Sequence, residues 1–115
     1  MIVVSNASPL IILARAHQLA LLRGFFGEVS IPRTVYEEVT TAGAGLPGAE
    51  EVRAAAWIVV RPDPSNPDEA AKRACAGLGL GEQAAILSLL NQRVRFDRVL
   101  LDDSLARLGF GKMQA

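Results

Sequence analysis

Apolar residues in this chain gather in short β-branched runs separated by stretches of helical spacing. The first run, Ile2-Val3-Val4, stops at once in Ser5-Asn6-Ala7-Ser8-Pro9. Such a run, ended by polar residues, reads as a buried strand of a parallel sheet. Ser8 before Pro9 predicts a helix start, with the serine as N-cap and the proline at the first helical position, where its missing N–H costs nothing. Leu10, Ile11, Leu13 and Ala14 continue that helix at the right spacing, and Leu19, Leu21, Leu22, Phe25 and Phe26 predict a second one closed by Gly27. Val29-Ser30-Ile31 is a second strand, and Pro32 marks the start of a helix that runs to Val39. Residues 40–48, with Gly43, Gly45, Pro47 and Gly48, read as loop. Residues 49–56 predict a helix, and Trp57-Ile58-Val59-Val60 a third strand closed by Pro62 and Pro64. Pro67-Asp68-Glu69 opens another helix towards Cys75, residues 77–81 read as a flexible hinge, and residues 82–90 as a buried helix. Val99-Leu100-Leu101 is a fourth strand that stops at Asp102-Asp103. Strands alternating with helices, without an internal repeat, predict an α/β domain with a parallel sheet and right-handed crossovers.

Composition narrows this picture. A chain of 115 residues, half of them apolar, has room for one domain spanning residues 1–115. No apolar run reaches the ~20 residues of a membrane-spanning helix, and the first residues lack the basic segment and cleavage site of a secretory signal. The single cysteine, Cys75, excludes a disulfide scaffold and suits a reducing, cytoplasmic setting. Twelve basic and twelve acidic residues give zero net charge, so any binding of nucleic acid must come from a local patch.

Ligand sites in open parallel sheets form at the carboxyl ends of the strands. Those ends carry Asn6 after the first strand and Asp102-Asp103 after the fourth; helices add Glu37-Glu38 and Glu82. Carboxylates meeting at one rim repel one another unless a cation neutralises them. Oxygen donors without His or Cys select a hard ion such as Mg²⁺ or Mn²⁺. Each residue also has a purely structural reading. Asn6 serves equally as a cap of the first helix, Glu37, Glu38 and Glu82 as acids complementing helix dipoles, and Asp102-Asp103 as a cap of the last helix.

Four blocks in order, Val3-Val4-Ser5-Asn6-Ala7-Ser8-Pro9-Leu10-Ile11, Ile31-Pro32-Arg33-Thr34-Val35-Tyr36-Glu37-Glu38, Leu80-Gly81-Glu82 and Leu100-Leu101-Asp102-Asp103, resemble PIN-domain proteins. The likeness is to an uncharacterised bacterial branch related to type II toxin nucleases, and it covers essentially the whole chain. It implies a three-layer α/β/α sandwich with a central parallel sheet, an acidic site for Mg²⁺ or Mn²⁺, and cleavage of RNA by a toxin held silent by an antitoxin protein. Carried over block by block, Asn6, Glu38, Glu82 and Asp102 or Asp103 take the four site positions, with Glu38, Glu82 and Asp103 as metal ligands. Ser8 matches the family's hydroxyl beside the first position. Arg107, about one helical turn after Asp103, is a salt-bridge partner or a phosphate ligand.

The chain departs from that pattern twice. The first site position is usually Asp, whereas Asn6 brings an oxygen donor without charge and cannot act as a base. The chain also ends at residues 109–115, where members of the family continue through a complete helix and another strand. This predicts a sheet lacking its last strand and a homodimer that covers the open edge. The leading expectation is a ribonuclease; the alternative is a PIN-like module that binds nucleic acid or protein without cutting. A receiver-type regulatory domain fits less well, because Asp63 follows the third strand only after Arg61-Pro62. The basic cluster Arg93, Arg95 and Arg98 is a solvated face or a patch for RNA phosphates. His17, Cys75 and Trp57 read as structural residues, and the glycines at 77, 79 and 81 lack the Gly-Lys-Ser/Thr of a phosphate loop.

Overall fold

The computed structural model describes residues 2–64, 69, 73, 76–91 and 97–100. Its first strand, β1 (Val3–Ser5), leads directly into α1 (Ala7–Arg15) and then α2 (Ala20–Phe26). Strand β2 (Val29–Pro32) passes without a loop into α3 (Arg33–Glu37), which widens into a π-helical turn (Glu38–Ala42). After a turn come α4 (Ala49–Ala54) and β3 (Ile58–Arg61), then α5 (Leu80–Asn91) and β4 (Arg98–Leu100). The strands form one parallel sheet in the order β3-β2-β1-β4.

β1 and β2 are buried along their whole length, as expected of central strands covered on both faces. Right-handed crossovers put the connections from β1 to β3 and the return from β3 to β4 on opposite faces of the sheet, an α/β/α arrangement in which α3 nonetheless packs against α5. Between the layers, Val3, Val29, Ile31 and Leu100 from the sheet meet Leu10, Leu13 and Leu22 from the first two helices and Val35 from α3. Each such side chain contributes ~1.5–3 kcal/mol when fully buried.

The register of β1 on β4 is pinned beyond the strands themselves. Asp97 donates its N–H to the Ile2 carbonyl at 2.7 Å, and its carboxylate accepts the Ile2 N–H at 2.8 Å. At the other end the Asn6 N–H reaches the Leu100 carbonyl at 3.0 Å. Among the described residues, no helix is long and apolar enough to cross a membrane.

Several boundaries differ from the sequence reading. α1 begins at Ala7 with Asn6 as its N-cap, so Ser8 is not the cap and Pro9 is third in the helix. The sequence Ser-Pro masked this, because a proline anywhere in the first turn forfeits only an N–H that has no partner there. Thr40 to Ala42, read as loop, belong to the π turn. The predicted hinge ends early, since Leu80 and Gly81 already lie in α5. Of the helix predicted over residues 67–75, Glu69 and Arg73 are helical and the remainder lies outside the described residues.

Candidate functional site

The sheet order sets the position of the site. The chain steps outward from β1 through β2 to β3 and then returns to the far side of β1 as β4. Between β1 and β4 the winding direction reverses, and in open α/β sheets ligands bind in the crevice outside the carboxyl ends of the strands at this point. Asn6 is the first residue past β1 and is 5% exposed. Its backbone has the extended geometry of an N-cap, φ −78° and ψ 173°, yet its side chain makes no capping hydrogen bond. Ser5, fully buried, donates its hydroxyl to the Asn6 carbonyl at 2.8 Å, which fixes the turn out of the strand.

The side chain of Asn6 is directed instead towards the start of α5. A Cβ placed on Gly81 would stand 3.1 Å from Asn6 Oδ1, 2.6 Å from Glu38 Oε1 and 3.5 Å from Val35 Cγ2. Three elements distant in sequence therefore bring two oxygen acceptors to one point over a glycine. Glu82 is the next residue, half-buried in the first turn of α5, with its Oε1 3.8 Å from where a Cβ on Gly79 would lie. That turn is held by the Gln83 N–H, which donates to the Gly79 carbonyl at 2.9 Å, and by the Gln83 side chain, which donates to the Leu78 carbonyl at 2.7 Å.

Glu38 is set by the local fold of α3. Asp63, in the segment after β3, accepts the Thr34 N–H at 3.0 Å through one carboxylate oxygen and the Thr34 hydroxyl through the other. A carboxylate at a helix start satisfies an orphan N–H and complements the dipole. Glu38 opens the π turn at the far end of α3, and single π turns are frequent at functional sites. Within it the Thr40 hydroxyl donates to the Tyr36 carbonyl at 2.7 Å. The Thr40 carbonyl, in turn, accepts from Arg53 Nη2 at 2.8 Å, and Arg53 is itself held by Glu50 at 2.6 Å. Gly43 closes the turn tightly: a Cβ there would come within 2.5 Å of the Val39 carbonyl oxygen.

Of the residues singled out in the sequence, the structure thus brings together Asn6 and Glu38; Glu82 follows Gly81 in the chain, with its carboxylate lying towards Gly79. Glu37 is exposed on α3, and Ser8 is half-buried in the first turn of α1. Asp102, Asp103 and Arg107 lie outside the described residues, as do Cys75, Arg93 and Arg95. Among the described residues, no group of three or more His, Cys, Asp or Glu is placed to hold a metal ion. Asn6, Glu38 and Glu82 supply an amide and two carboxylates, which are oxygen donors suited to a hard cation and unsuited to a soft one. Two contributors escaped the sequence reading. The sequence pattern reads Gly81 as part of a hinge, and it gives Asp63 no role because that residue does not directly follow its strand. The Gly-Glu pair at a helix start was the available signal for the first; nothing local pointed to the second.

A family model described as a PIN domain, DUF3368, matches residues 2–109. Comparison with curated proteins gave no match, and neither did comparison with solved structures. The family match spans the four strands of the described residues, α5 and every block that carries Asn6, Glu38 and Glu82, so the chain belongs to the PIN-domain family.

Proposed function

We propose that this protein is a Mg²⁺- or Mn²⁺-dependent endoribonuclease of the toxin–antitoxin type, a cytoplasmic homodimer restrained by an antitoxin protein. Membership in the PIN-domain family points to nuclease-type chemistry on RNA and to a divalent cation. The observation that carries the reading is the convergence of Asn6 Oδ1 and Glu38 Oε1 over Gly81 at the switch point of the sheet, with Glu82 the next residue in the helix. In this reading Glu38, Glu82 and Asp103 hold the ion, with Asn6 and Asp102 beside it. When bound, the ion lowers the pKa of a coordinated water and offsets charge building on the phosphodiester. Asn6 contributes an uncharged acceptor and does not remove a proton. Glu38, exposed to solvent, is reachable by a substrate strand. Ser8 and Arg107 address the phosphate, the arginine through its planar fork of donors.

The amide at Asn6 also favours a second reading, a module of the same family that binds RNA or a protein without cutting it, since one charge of the usual set is missing. Incubation with structured RNA in Mn²⁺ or Mg²⁺ separates the two. Cleavage that is abolished by a chelator and by Glu82→Gln supports the nuclease. Metal-independent RNA binding with no cleavage, unchanged by Glu82→Gln, supports the binding module.

A further inference from the structure

We infer that Gly81 is a positioning residue: its missing side chain leaves the space in which Glu38 and Asn6 meet. The inference deepens the proposed metal site and rests on that reading for its functional consequence. Gly81 is buried in the first turn of a twelve-residue helix and is not among the glycines with positive φ. Its backbone therefore does not require glycine, and helix propensity argues against it, since glycine is a poorer helix former than alanine. What the position does not tolerate is volume. A Cβ would overlap Glu38 Oε1 at 2.6 Å and crowd Asn6 Oδ1 at 3.1 Å, while Val35 Cγ2 at 3.5 Å is an ordinary contact. Both crowded atoms are the ends of polar side chains on other elements, and neither is backbone.

The two can give way unequally. Glu38 is exposed and free to swing outward, whereas Asn6 is buried at the root of α1 and tied through its N–H to Leu100. A methyl group on Gly81 thus expels the Glu38 carboxylate from its place and presses on the Asn6 amide, without opening the core. A glycine kept only for flexibility predicts the opposite pattern, a change in stability with the polar groups undisturbed.

The test is Gly81→Ala in the full-length protein, followed by three measurements. The first is the Asn6 side-chain amide signal in a ¹H–¹⁵N spectrum, assigned by its loss in Asn6→Asp. The second is Mn²⁺ affinity by calorimetry, and the third is the melting temperature. The expected result is a moved Asn6 signal, Mn²⁺ affinity lowered ~10- to 100-fold as for other changes that disturb ligand orientation, and a melting temperature unchanged or raised. In the double variant Gly81→Ala with Glu38→Asp, the shorter carboxylate restores room, so the alanine costs less affinity there than in the wild-type background. An unmoved Asn6 signal together with a lowered melting temperature overturns the inference. Equal Mn²⁺ affinity in wild type and Gly81→Ala also overturns it. If the wild type binds no Mn²⁺, the metal-site reading fails, and the Asn6 signal still decides whether Gly81 provides the clearance.

Discussion

At Asn6 a single atom separates the amide from a carboxylate. The side chain is buried, makes no capping bond, and faces Glu38 across Gly81. Asn6→Asp therefore has effects of opposite sign with and without metal. Without metal, the new carboxylate lies near that of Glu38, and the repulsion lowers stability by on the order of 1 kcal/mol for an interaction still reached by solvent. With Mn²⁺ present the added charge strengthens binding, by about tenfold, because ligand charge tunes the affinity of hard-ion sites. Thermal melts with and without Mn²⁺, together with calorimetry, check both signs. Equal Mn²⁺ affinity in the variant and the wild type would show that Asn6 Oδ1 does not face the ion.

The elements explain why that meeting point is built where it is, and how much of it could be read in advance. The strands, their order along the chain and the places of Asn6 after a strand and Glu82 in the first turn of a helix were legible, because strand ends and helix starts leave local marks of polarity and proline. The approach of α5 to within contact of Asn6 and Glu38 was not. It depends on which strands are neighbours, and a glycine that admits a distant side chain looks the same in sequence as one that makes a hinge. The Asp63 cap was hidden for the same reason, since it spans 29 residues to Thr34. Removing it by Asp63→Ala should cost ~1 kcal/mol, as for other lost N-terminal caps. Because α3 carries Glu38, Mn²⁺ affinity should fall alongside, and unchanged stability would show that the exposed pair is not maintained in solution. The π turn provides a sharper case. Gly43→Ala drives a Cβ into the Val39 carbonyl oxygen, a backbone atom that cannot rotate away as Glu38 can. Its expected cost is ~1–3 kcal/mol, the range for overpacking. A denaturation midpoint equal to that of the wild type would show that the turn relaxes at no cost.

For the molecule as a whole, the site joins parts of the chain that the fold otherwise connects only through the core. Asn6 directly follows β1, Glu38 opens the π turn after α3, and Glu82 lies in the first turn of α5. An ion held among them binds the folded state and not the unfolded chain, in which these residues are far apart. Stabilisation then follows from mass action: at a free concentration ~100 times the dissociation constant it amounts to ~2.7 kcal/mol. For a domain of this size that raises the melting temperature by on the order of 10 °C. The effect should grow with the logarithm of Mn²⁺ concentration, and should be absent with chelator in excess of the Mn²⁺ or after Glu38→Gln or Glu82→Gln. Each single variant removes one of the two described carboxylates, so a shift that survives in both would place the ion elsewhere. Surface carboxylates scattered over a chain of zero net charge would give a smaller rise that neither substitution abolishes, and that pattern would overturn the site as assembled from β1, α3 and α5.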